Sequence, residues 1–242
     1  MKREVSAIIL DWAGTTVDYG CFAPVNAFIK AFEAYGITPT IEETREPMGM
    51  EKRAHIAKML EGKRLSELWI SKYKRAHTNE DIDAIYEKFE PALFETLSDY
   101  TDPIPGVLET VKTLREMEIV IGSTTGYTKK MMEVVTPITK EKGYYPDYLV
   151  CPEDVGGGRP YPYMVWRNLE ILKVVDVRRV VKVGDTVADM EEGKNAGCIC
   201  VGILKGSSML GLCEKEYAEM PPNKIDELYA KAHRRYIDSG AD

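Results

Sequence analysis

Val5-Ser-Ala-Ile-Ile-Leu-Asp-Trp-Ala-Gly-Thr-Thr-Val-Asp18 decides the fold. The run from Ala7 to Leu10 is continuously apolar rather than alternating, the pattern of a strand buried on both faces of a parallel sheet. It stops at Asp11, and Trp12, Ala13, Gly14, Thr15 and Thr16 make a tight, mostly polar loop. Open α/β sheets bind ligands beyond the C-terminal ends of their strands, which is where Asp11 falls. Asp is also a common turn residue, so this stretch alone leaves a structural reading open.

Downstream, Tyr19-Gly-Cys-Phe-Ala-Pro24 breaks regular structure. Val25–Tyr35 repeats apolar residues at helical spacing and Gly36 stops it. A helix from Ile41 is interrupted by Pro47-Met-Gly49, and residues 51–60, 65–75 and 80–97 read as further amphipathic helices. No strand is expected between 20 and 100. From Pro103 the pattern alternates: helix 107–117, strand 119–122, helix 127–142 that Pro137 should kink or end, strand 148–151, helix 163–172, strand 180–183, helix 187–196 and strand 199–202. Such alternation implies a doubly wound parallel sheet. The expected division is a core of residues 1–19 and 101–242, with a helical block of residues 20–100 inserted after the first strand.

Four ordered stretches carry a resemblance: Asp11-Trp-Ala-Gly-Thr-Thr16, Gly122-Ser-Thr-Thr-Gly-Tyr127, Arg159-Pro-Tyr-Pro162 and Val183-Gly-Asp-Thr-Val-Ala-Asp189. The chain resembles the haloacid dehalogenase superfamily, α/β proteins with a Rossmann-like core and an inserted cap. Met48-Gly-x-x-Lys52-x-x-His55 narrows the resemblance to its phosphonatase branch, over nearly the whole chain.

The resemblance implies Asp11 as a nucleophile on phosphorus, a recognised covalent strategy. A carboxylate attacking an anion needs its charge screened, and the resemblance implies Mg²⁺ on Asp11, the main-chain carbonyl of Ala13 and Asp185, with Asp189 supporting from the next helical turn. It assigns phosphate binding to Ser123, Thr125, Gly126 and Arg159, the last an Arg where most relatives use Lys; its guanidinium can clamp two oxygens. Ser123 to Thr125 also read as a cap of the following helix, which is compatible with an anion site. Asp185 and Asp189 could equally cap a helix. Cys21, Met48, Gly49 and Tyr127 are implied to line the pocket, with core packing as the competing reading.

Two residues separate this chain from phosphatases of the superfamily. These carry an Asp two residues after the nucleophile to protonate the leaving oxygen; Ala13 cannot, which suits a carbon leaving group. Lys52 could form a Schiff base with a carbonyl substrate, making the carbon leave as an enamine. Aldehyde and phosphonate on a two-carbon frame give phosphonoacetaldehyde, cleaved to acetaldehyde and phosphate. His55, three residues on and so on the same helix face, would assist as base or proton shuttle. Alternatives from other classes are a phosphomonoesterase or mutase and a non-catalytic relative.

Composition bounds the rest. With 32 basic and 39 acidic residues the net charge is −7, which argues against nucleic acid or an anionic membrane as partner. No apolar stretch approaches the ~20 residues of a membrane helix, and Met1-Lys-Arg-Glu-Val5 lacks the apolar region of a secretory leader. Five scattered cysteines fit reduced thiols in the cytoplasm; Cys198 and Cys200 fit core packing better than zinc. The resemblance further implies a homodimer joined through the cap. Members usually continue past the helix at 222–237 with another strand and helix, so an exposed apolar surface and sheet edge are expected here.

Overall fold

The computed structural model describes residues 5–242; the leader reading bears partly on residues outside that range. Five strands, β1 (Ala7–Leu10), β2 (Val120–Thr124), β3 (Tyr148–Val150), β4 (Val180–Gly184) and β5 (Ile199–Gly202), pair in parallel in the order β3-β2-β1-β4-β5. Period-two geometry sends Ile8 and Leu10 to one face, with Val111 and Ile121, while Ala7 and Ile9 pack on the other against Val165, Leu169 and Val180. Helices α6 (Val107–Glu116) and α7 (Lys129–Glu141) serve the first face, α8 (Tyr163–Ile171) and α9 (Val187–Ala196) the second. This is the doubly wound α/β fold expected of the strand pattern.

Between β1 and β2 stand α1 (Ala23–Glu33), α2 (Ile41–Arg45), α3 (Lys52–Glu61), α4 (Lys63–Tyr73) and α5 (Asn79–Phe94). Phe28 and Phe89 stack at 4.2 Å between α1 and α5 and form the centre of this helical block. The chain enters and leaves it side by side: Val17 bridges Pro103, and Ile104 N–H donates to the Thr16 carbonyl at 2.9 Å. One apolar cluster runs from Ile121, Met131 and Tyr144 into Trp12, Phe28 and Leu97, so the packing is continuous across the junction.

Local expectations fail in two places. Pro137 lies inside α7 without ending it. Met131, Met132, Val135 and Thr139 form a buried stripe on both sides of the proline, and that packing holds the helix through the missing hydrogen bond. The cap of α7 is Thr128, which accepts from Met131 N–H, not Ser123 to Thr125. A short α10 (Glu214–Glu219) was not legible, and α11 (Pro222–Asp238) closes the chain. The edge of β5 is met at Cys200, whose N–H donates to Asp242 Oδ2 and whose carbonyl accepts from Asp242 N–H. Cys200 is buried and Cys198 half-buried just before the strand; both are free thiols.

Candidate active site

Three adjacent strands deliver their ends to one place. Asp11 follows β1, Ser123 and Thr124 end β2, and Asp185 follows β4. From β1 the chain winds outward to β2 and β3, then crosses back to β4 on the other side of β1 and on to β5, and a doubly wound sheet opens its crevice at such a reversal. Asp11, Ala13, Thr125, Gly126, Arg159 and Asp185 line the core side of a small cavity, and Cys21, Met48, Gly49, Lys52 and Tyr127 complete it. Every residue assigned to a pocket by resemblance is therefore present, while His55, Ser123 and Asp189 stand behind the wall. The cavity is about 20 Å³, enough for about one ordered water.

The core side is saturated with charge. Arg159 Nη2 donates to Asp11 Oδ1 at 2.7 Å and to both oxygens of Thr124 at 3.0 Å, and lies 3.0 Å from Asp189 Oδ1; its Nε donates to Glu192 Oε2 at 3.0 Å. Lys182, a cation inside apolar β4, lies 2.5 Å from Asp189 and 3.6 Å from Glu192. Thr186 caps α9 and donates from its hydroxyl to Asp189 Oδ2 at 2.6 Å. Burial would raise the Asp189 carboxyl, and Arg159 and Lys182 reverse that and hold it low. Burial and Asp189 push Asp11 up, against the pull of Arg159 and Lys182. Burial alone would depress the Arg159 guanidinium, and its three carboxylate neighbours more than compensate.

Asp185 stands apart. Its Oδ2 accepts from Ser208 N–H at 2.7 Å and its Oδ1 lies 3.4 Å from the Thr15 hydroxyl, yet among the described residues no cation pairs with it within 4 Å. Burial, Asp11 and Asp189 push it up to about 8. Single oxygens of Asp11, Asp185 and Asp189 lie within 4.8 Å of one another. Buried, all-oxygen and short of positive charge on one side, this set fits a hard divalent cation on Asp11 and Asp185. Asp189, already engaged by Lys182, Thr186 and Arg159, fits a supporting place. Gly14, at φ +83°, lets the loop pass Asp185, for a Cβ there would come 2.1 Å from Oδ2.

The helical block contributes a cation of the opposite character. Glu51 caps α3 through Arg53 and Ala54 N–H, which sets Lys52 at its first position. Lys52 is buried, and its Nζ makes no hydrogen bond or ion pair among the described residues; it lies 4.9 Å from the centre of the Tyr127 ring. Burial lowers the ammonium against the opposing pull of Cys21, Asp11 and Glu51. His55 faces the interior of the block: Nε2–H donates to the Thr44 carbonyl at 2.8 Å, Nδ1 has no partner, and the ring stacks on Phe28 at 3.9 Å. Burial and the Lys52 charge hold its imidazole well below the ordinary value, so it is neutral. Burial likewise pushes the Cys21 thiol and the Tyr127 phenol well up.

The two sides meet backbone to backbone. A Cβ on Gly126 would come 2.9 Å from the Met50 carbonyl oxygen and 3.0 Å from that of Gly49, and a Cβ on Gly49 would come 2.2 Å from Thr186 Oγ1. In the stretch Gly122 to Tyr127, the Ser123 hydroxyl has no partner among the described residues and its main chain is clamped by Asn168, while Thr125 Oγ1 accepts from Tyr127 N–H. Sequence reading missed Lys182 and Glu192, and it read Thr124 with the helix cap and anion site, whereas its oxygens accept from Arg159 and its hydroxyl donates to Glu192. A lone Lys within Val180-Val-Lys-Val and a Glu three residues after Asp189 were the available signals. A larger groove beneath α6, walled by Ile8, Leu10, Val183 and Ile203, offers only Lys205 as a titratable group and carries no chemistry of this kind.

Residues 5–197 match the haloacid dehalogenase-like hydrolase family. A phosphonoacetaldehyde hydrolase of Parabacteroides distasonis is 49% identical over 240 residues, covering 99% of this chain and 91% of that protein. A bifunctional phosphonoacetaldehyde hydrolase/aminoethylphosphonate transaminase of Clostridioides difficile is 47% identical over 99% of this chain, which spans 38% of its length. A crystal structure of a phosphonoacetaldehyde hydrolase-like protein from Oleispira antarctica superposes with a TM-score of 0.95 at 37% identity, covering 98% of this chain and 86% of that one. The chain belongs to the haloacid dehalogenase-like hydrolases and, within them, to the phosphonoacetaldehyde hydrolase family.

Proposed function

We propose that this protein hydrolyses the C–P bond of phosphonoacetaldehyde to acetaldehyde and phosphate through a Lys52 imine and an Asp11 aspartyl phosphate. The observation that carries this reading is the unpaired, buried Lys52 amine sharing a cavity with Asp11. Burial favours the neutral, nucleophilic amine. Lys52 adds to the aldehyde carbon and water leaves, giving an imine that is protonated on nitrogen. Asp11 then forms a bond to phosphorus as the C–P bond breaks, and its electron pair moves into the iminium to give an enamine. Ala13 offers no acid to protonate a leaving oxygen, and none is needed. Water then cleaves the acyl phosphate, and protonation and hydrolysis of the enamine carbon and nitrogen release acetaldehyde.

Arg159, with Thr125 and Gly126 on the cavity wall, would hold the phosphoryl oxygens, and the tight seat of the helical block would exclude bulk water. Mg²⁺ held by Asp11 and Asp185, with the Ala13 carbonyl, would screen the negative charges of nucleophile and phosphonate. The buried, neutral His55 is the natural support of the Lys52 helix turn, acting on the amine through packing and field. The helical block of residues 20–100 would serve as a cap. Its exposed Leu68 and Ile70 on α4 are available to a second copy, a dimer that sedimentation would reveal. No described helix is long and apolar enough to cross a membrane, and free thiols fit the cytoplasm.

Borohydride trapping tests the reading. Incubation with phosphonoacetaldehyde and Mg²⁺, reduction and peptide mapping should place a stable adduct on the Lys52 peptide. A folded protein that turns over substrate without trapping defeats the imine route. Hydrolysis of p-nitrophenyl phosphate at comparable rates would favour a phosphomonoesterase.

A further inference from the structure

Arg45, the last residue of α2, leaves the helical block and reaches the core. Its Nη1 donates to the Gly20 carbonyl at 2.7 Å and to the Ser208 carbonyl at 3.1 Å. Its Nε and Nη2 are buried without partners, and no carboxylate lies within ion-pairing distance among the described residues. The two carbonyls and the Phe22 ring, 5.0 Å beneath the guanidinium, therefore set its place. The loop after β5 is shaped around it: Gly211 has φ +65°, and a Cβ there would come 2.9 Å from Arg45 Cζ. Gly20 N–H donates in turn to the Gly206 carbonyl of that loop at 2.7 Å.

Ser208 is the residue of this loop that grips Asp185. Its N–H holds Oδ2 at 2.7 Å and its hydroxyl lies 3.4 Å from the Asp185 carbonyl oxygen, while the Tyr236 hydroxyl lies 2.8 Å from the same oxygen. Fixing Oδ2 leaves Oδ1 turned toward Thr15 and Asp11. We propose that Arg45 is a positioning residue through which seating the helical block on the core, by way of Ser208, orients Asp185 for a divalent cation. This rests on the reading of Asp11 and Asp185 as cation ligands. Partners behind a ligating group are worth about 10–100-fold in metal affinity, and Arg45 lies one step further out, so the lower end applies.

The test is Mn²⁺ affinity of the full chain without substrate, by calorimetry and electron paramagnetic resonance, with melting in chelator as a check of folding. Arg45→Met is expected to weaken Mn²⁺ binding about tenfold, and Gly211→Ala, which crowds the guanidinium, to weaken it in the same direction. Glu46→Gln removes the exposed ion pair to Arg235 but leaves the loop untouched, and should bind Mn²⁺ as the unaltered chain does. Unchanged affinity in both Arg45→Met and Gly211→Ala overturns the route through Arg45 alone. Equal weakening by Glu46→Gln also overturns it, since general loosening would then suffice. An unaltered chain that binds no Mn²⁺ overturns the cation site itself.

Discussion

The core and the helical block furnish one cavity by opposite means. On the core side, Arg159 and Lys182 are shared among Asp11, Asp189 and Glu192, all buried and all tied by at least one charge-assisted hydrogen bond. On the other side, Lys52 is equally buried and, among the described residues, has no hydrogen bond or ion pair. A paired cation is locked in its charge and its place; an unpaired one in the same dryness is free to lose its proton and react. On the proposed reading, the core wall balances the charge around the Asp11 nucleophile, while the helical block brings the amine that would form the imine.

The largest effect should come from breaking that division at Lys52. Lys52→Arg keeps the charge but removes the reactive amine, and should lower turnover of phosphonoacetaldehyde by about 10³-fold or more with the melting temperature nearly unchanged. On the opposite wall, Arg159→Lys keeps the charge but loses the fork that spans Asp11 and Glu192; kcat/KM should fall about 10²-fold. Lys182→Met leaves Asp189 and Glu192 with one cation between them, so urea unfolding should show a loss of about 3–5 kcal/mol, larger than its effect on KM.

The junction between the two parts sharpens the comparison through pH. Asp18 accepts from Phe22 and Ala23 N–H, and burial pushes it up to about 7 from an ordinary 3.8. The folded state thus holds a proton that the unfolded chain releases; its contribution is complete below about 4 and is lost as pH rises through about 7. Thermal melts of Asp18→Asn should lose this part of the decline between about pH 4 and 7. The smallest effect belongs to His55→Gln, which keeps a donor for Thr44 and loses stacking on Phe28. Steady-state turnover should drop by less than about tenfold, and a complete loss would give His55 a direct part in the chemistry.

What the sequence revealed follows the range of each interaction. The strands were legible because burial on both faces writes an unbroken apolar run, and Asp11, Lys52, Arg159 and Asp185 because their motifs are local. Pro137 misled because packing of Met131, Met132 and Val135 outweighs a local preference. Lys182 and Glu192 left faint local signals, an ion inside an apolar strand and a charge one turn from another. Arg45 and Ser208, 163 residues apart, left none. His55 shares a helix face with Lys52, yet a shared face does not decide which of two neighbours meets the cavity.

The touch of Gly126 on the main chain of Gly49 and Met50 makes the cavity a length gauge. Its height is fixed by peptide planes, which substitution cannot trim, whereas its girth is fixed by side chains such as Met48 and Tyr127, which substitution can. A branched aldehyde could be admitted by paring the walls. A longer one would have to prise the two halves apart, and on the proposed reading this would separate the Lys52 amine from the Asp11 carboxylate.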